Sequence, residues 1–177
     1  MHSEPHREGE SAPSEEVTAS RIESPLRHLA QINAWPEEPI PTEWLRNGHA
    51  RWELLMNEYT GADQVARQGL FRWLAHEVRL HIAAEEGVVF PAWLAVSPKA
   101  TQRVSRFQTE HREINKMLSK LMAGRPAGER FELLFSKWSA LLERHAENEE
   151  TALFADMEAD LADQSREVSE QISRLEA

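Results

Sequence analysis

Histidine and glutamate recur in this chain at a spacing suited to holding a metal ion. The stretch HIAAEEGVVF (81–90) is echoed by HAENEETALF (145–154). Both carry His, Glu at +4 and +5, and Phe at +9, and the two copies lie 64 residues apart. Residues four apart share a helix face, with Cβ atoms about 5–6 Å from one another. His81 with Glu85, and His145 with Glu149, can therefore each aim at one small volume. Glu86 and Glu150 are turned about 100° away and read as solvated groups or as supports for the ligands. One such pair alone is usually a wet helix face. Its repetition argues for a site.

A second repeat precedes each copy. GHARWELLMNEY (48–59) aligns with EHREINKMLSKL (110–121), which places His49 and His111 62 residues apart. The chain thus reads twice as a helix with a His near its start, followed by a helix with His-x-x-x-Glu. The candidate metal ligands are His49, His81, Glu85, His111, His145 and Glu149. Imidazoles and carboxylates are costly inside an apolar bundle unless a cation compensates them. Two divalent ions would do so, and this donor set suits iron, with manganese and zinc as alternatives. If both glutamates bridge, each ion receives two nitrogens and two oxygens. Octahedral iron takes about six ligands, so an added oxo or hydroxo bridge leaves one open position per ion. Which His serves which ion stays open.

Other residues compete for roles. His28 rivals His49 as the first ligand, but His49 has the spacing that the second half mirrors. His76 is turned about 140° from His81 and reads as a surface residue. Glu77 precedes His81 by four residues on the ligand face, so it is a candidate extra ligand or ligand support, with a wet-rim carboxylate as the plainer reading. Its counterpart in the other half is Leu141. Tyr59, the single tyrosine, has no reason to lie on a metal. Trp73, Phe90, Trp138 and Phe154 are expected in the core, some of them walling the site.

Helices must position these groups. The chain has 177 residues, 41% of them apolar, with six Trp and six Phe, enough for a folded core. Residues 1–41 read as a polar, partly disordered extension holding His2 and His6, with a possible short helix over 21–34 before a proline-rich stop. Residues 42–177 read as the folded domain. Apolar periodicity predicts helices over 42–59, 63–95, 98–122 and 130–161, and an amphipathic C-terminal stretch over 164–175 bearing Val168, Ile172 and Leu175. Pro91 should kink the second helix. Ser97-Pro98 should start the third, as capping hydroxyl and first-turn proline. GRPAG (124–128) is a loop. The fold class is all-α: an antiparallel four-helix bundle made of two hairpins in a pseudo-twofold repeat.

Charge and composition exclude several functions. A net charge of −10 disfavours nucleic acid and anionic membranes as partners. The chain has no cysteine, which removes disulfides, thiolate zinc sites and iron–sulfur clusters. No apolar run approaches the roughly 18 residues of a spanning helix. The N-terminus lacks the apolar region of a secretory signal, so a cytoplasmic location is expected.

The ordered set His49, His81-x-x-x-Glu85, His111, His145-x-x-x-Glu149 resembles the haemerythrin-like family, the HHE cation-binding domain, over residues 45–160. That resemblance implies a four-helix bundle enclosing two non-haem iron ions (Fe2+/Fe3+) bridged by the two glutamates. It also implies a small ligand (O2, NO or peroxide) bound for sensing, storage or detoxification. Other family roles are a di-iron enzyme of peroxidase, NO-reducing or oxidase type, and an iron store or donor. The invertebrate oxygen carriers of the family have a fifth His where this chain has Asn115, which argues against simple reversible O2 carriage. The branch that repairs iron centres usually carries a cysteine-bearing N-terminal domain, and this sequence has no cysteine. Single-domain bacterial members are the nearest description.

Overall fold

The computed structural model describes residues 40–124 and 128–175. The expected N-terminal extension with its 21–34 helix, His2, His6 and His28 lies outside the described residues, as does most of the 124–128 loop. Every regular element among the described residues is helical.

Helix α1 spans Pro41–Gly61 and opens on Pro41, whose missing N–H costs nothing in a first turn. Helix α2 spans Gln64–Ala84. Asp63 caps it, its side chain accepting from the N–H groups of Val65 and Ala66. A π-helical turn, Glu85–Val89, continues directly into α3, Phe90–Val96. Pro91 therefore acts differently from a simple kink. A proline ring clashes with the carbonyl four residues back and offers no N–H. The widened turn answers this, with the Phe90 N–H reaching the carbonyl of Glu85, five residues back.

Pro98–Ala100 form a 3-10 turn, and α4 spans Thr101–Ala123. Ser97 makes no capping hydrogen bond, contrary to expectation. Helix α5 spans Glu129–Ala152, and α6 spans Phe154–Leu161. The single helix expected over 130–161 is thus broken at Leu153, whose φ of −120° leaves the helical range. The break is the repeat counterpart of Val89, the last residue of the π-turn, so both long helices lose α geometry within their motif, the first from Glu85 onward and the second at Leu153. Helix α7, Ser165–Ser173, closes the described chain.

Helix α1 packs on α2, α4 on α5, and α5 against α1. Side-chain bonds fasten the far end: Thr42 and Arg46 donate to Glu158 at 2.6 and 2.8 Å, and the Trp93 indole donates to Asp160 at 3.0 Å.

The apolar interior is divided in two. One core gathers Trp52, Leu55, Phe71, Leu74, Leu118, Phe135 and Trp138 toward the hairpin connections. The other gathers Trp44, Leu45, Phe90, Trp93, Phe107, Phe154 and Met157 with Val168 and Ile172 of α7. Trp44, Leu45, Trp52, Leu55 and Met56 of α1, and Leu70, Phe71, Leu74, Val78 and Ile82 of α2, are all buried. Trp73 is a correction: it is 42% exposed. It follows Phe71 by two positions and precedes Leu74 by one, so the 3.6-residue period turns it off the buried stripe. Leu175 is likewise exposed, two residues beyond the end of α7.

Candidate metal centre

Between the two cores lie the six residues singled out from the sequence. His49 comes from α1, His81 from the last turn of α2 and Glu85 from the π-turn. His111 comes from α4, with His145 and Glu149 from α5. All six are buried. The rings of His49 and His81 lie 4.7 Å apart, and those of His111 and His145 4.9 Å apart.

Each imidazole turns Nε2 inward. His49 Nε2 lies 3.2 Å from Glu149 and His111 Nε2 3.1 Å from Glu85. His145 Nε2 lies 3.3 Å from Glu149, and His81 Nε2 3.5 Å from Glu85. The four Nε2 atoms and both oxygens of Glu85 and Glu149 are buried without a hydrogen-bond partner. Orphaned polar atoms are rare in native interiors, and here they converge. Two donors on one ion at about 2.1 Å, separated by roughly 90–110°, sit about 3.0–3.4 Å apart. The observed spacings match that, so the residues fit a bound cation. The donors fall into two overlapping groups, Glu85–His111–His145–Glu149 and His49–His81–Glu149, each with its donor atoms within 4.8 Å of one another.

Electrostatics point the same way. Burial pushes the Glu85 carboxyl up to about 8 and that of Glu149 up to about 7, the latter also through repulsion from Glu85. Burial, then the neighbouring imidazoles, holds His81 well below its ordinary value. The cage thus favours the neutral form of His81, the ligand form, and resists anionic Glu85 and Glu149 unless a positive ion joins them.

The outward Nδ1 atoms disclose a crossed design. A carboxylate can only accept, so Nδ1–H of His49 donates to Glu150 at 2.8 Å, and that of His111 donates to Glu86 at 2.8 Å. The second glutamate of each motif therefore serves the lone His of the other half. Phe90 and Phe154 do likewise. Phe90 stacks on His111 at 5.8 Å and Phe154 on His49 at 5.9 Å, both 7° from parallel. His145 Nδ1–H donates to Glu110 at 3.1 Å, a bond that holds the Glu110 carboxyl below its usual range. Glu110 was not among the sequence candidates, although it stands immediately before His111 in the second repeat.

Glu77 does not join the cage. It accepts from Arg51 Nε at 2.7 Å, a largely buried ion pair. Asn115 is half-buried and His76 exposed. Tyr59 is far from the cage, bonded to Glu132 and stacked on Phe135; burial and that acceptor push its phenol up to about 12.

A family model described as Hemerythrin HHE cation binding domain matches residues 40–157. No curated protein and no solved structure gives a match.

Proposed function

The chain belongs to the hemerythrin HHE cation-binding family, and from that premise we propose that it is a non-haem di-iron protein taking a small ligand: O2, NO or peroxide. The observation that carries this reading is the set of eight orphaned nitrogen and oxygen atoms meeting between two apolar cores. On this reading His49, His81, Glu85, His111, His145 and Glu149 hold the ions, and four long helices form an antiparallel bundle around them. Residues 42–177 form the domain, following a polar extension.

Bound iron supplies reversible redox chemistry and affinity for small oxygen- and nitrogen-containing ligands. The chain's own residues do the rest. Glu86, Glu150 and Glu110 hold the Nδ1 protons and so keep each Nε2 lone pair inward. Trp52, Phe90, Phe107 and Phe154, packed around the imidazoles, exclude bulk water and large molecules. Among the described residues no helix is long and apolar enough to cross a membrane; we place the protein in the cytoplasm. With a charge of −10 it is not read as a nucleic-acid binder.

The test is elemental analysis of the purified protein, with visible spectra in air, under NO and after peroxide. About two irons per chain with a stable spectral change on exposure to O2 or NO supports a binding protein. Rapid, catalytic peroxide or NO consumption instead favours the di-iron enzyme. A chain that takes up no metal would sink both readings.

A further inference from the structure

The crossed design has one missing member. The repeat aligns Gly48 with Glu110. In the second half Glu110 anchors His145 Nδ1. In the first half a Cβ built on Gly48 would lie 2.6 Å from His81 Nδ1, closer than side-chain carbons come. No anchoring carboxylate can stand there. His81 Nδ1 is buried and has no hydrogen-bond partner. Its ring is held by packing instead, 4.5 Å from Trp52 and 5.9 Å from Trp44 between centroids.

Two further differences fall on the same side. The group containing His49 and His81 has three donors within 4.8 Å of one another, against four for the group containing His111 and His145. His49 is 7% exposed while His81, His111 and His145 are at 1% or less. It reaches the wall of a groove between α1 and α5 lined by Arg46, Trp52, Glu53, Ala146 and Glu150. Three carboxylates in that lining, Glu53, Glu143 and Glu150, attract a cation, and Arg46 is engaged with Glu158.

We propose that the cage holds its two ions unequally: the His49–His81–Glu149 position takes up and releases its ion first, through the α1–α5 groove, because His81 lacks the carboxylate anchor that Glu110 gives His145. The inference rests on the metal-binding reading. An anion on Nδ1–H strengthens the opposite nitrogen as a donor and fixes the ring; losing such a partner typically costs about 10–100-fold in metal affinity. Glu110 is a positioning residue, acting through His145.

Release kinetics test this. The full chain is loaded with Fe2+ under nitrogen and mixed with excess coloured chelator. One ion is expected to leave in each of two phases, at rates about tenfold or more apart. Glu110→Gln keeps the side chain's shape without its charge. It should speed the slow phase about tenfold, leaving the rate of the fast phase unchanged. Ala146→Phe, which fills the groove, should slow the fast phase and leave the stoichiometry at two. Both ions leaving the unsubstituted protein in one phase, or Glu110→Gln accelerating the fast phase, overturns the inequality. An unmoved fast phase in Ala146→Phe overturns the groove as the route. A chain that binds no Fe2+ at all defeats the metal-binding reading itself.

Discussion

Glu85 and Glu149 are carboxyls with no exposure, and their chemistry sets a conflict between binding and stability. Without a cation, each anion is unfavourable in the fold, which is why burial raises them to about 8 and about 7. The unfolded chain ionises them near its ordinary 4.5, so above that pH it holds fewer protons than the native state. Stability of the metal-free protein then falls as pH rises through the folded values. His81 acts oppositely. Its folded value is depressed, so the unfolded chain binds the extra proton below about 6.5. The two effects oppose each other between 4.5 and 6.5, and the carboxyls alone act above that. The metal-free protein should therefore lose melting temperature between pH 6.5 and 8, while the metal-loaded protein should hold or gain, because proton release then favours the ion. Thermal scans of both forms across that range check the sign. For the same reason Glu85→Gln should raise the melting temperature of the metal-free protein. It should also abolish the increase that metal produces in the parent, as scans with and without Fe2+ would show.

At the scale of elements, the cage depends on helices that do not run straight through it. The π-turn at Glu85–Val89 accommodates Pro91 and still leaves Glu86 on His111. Glu150 makes the matching bond from an ordinary α-helical turn, so the π-turn is not what aims the glutamate. Each motif instead reaches across to the other half through its +5 Glu and its +9 Phe. Helix starts matter too, since α2 must present His81 at the level of His49 twelve residues before the end of α1. Asp63 supplies its cap. Asp63→Ala should destabilise the protein by about 1 kcal/mol in a urea titration, without altering metal stoichiometry.

At the scale of the whole molecule, α7 is a working part of the fold. It lies beyond the family-matched residues, yet Val168 and Ile172 are buried in the same core as Trp44 and Phe90. The helix packs on α1 and on the π-turn that carries Glu85. Ending the chain after Gln164 removes these two apolar side chains and uncovers the core they pack on. At about 1.5–3 kcal/mol for each buried aliphatic side chain, the loss should be roughly 3–6 kcal/mol by denaturant titration, with faster release of metal to a chelator. A truncated chain of parental stability would mean that α7 is a mere appendage. The repeat also has limits at this scale: Glu110 has Gly48 as its counterpart, and Leu141 answers Glu77.

The sequence by itself determined which residues stand together along each helix. His81 with Glu85, His145 with Glu149, and the buried stripes of α1 and α2 follow from a local period of 3.6 residues, which holds whatever the rest of the chain does. The doubled motif showed that two such faces belong together. Only the tertiary structure decided what meets across helices: Glu150 on His49, Glu86 on His111, Glu110 on His145, and Glu77 on Arg51 rather than in the cage. It also sorted the donors into two groups and turned Trp73 outward. These outcomes depend on how far each helix is rotated and offset against its neighbours. That is the sum of many packing contacts distant in sequence, and no spacing within one helix encodes it.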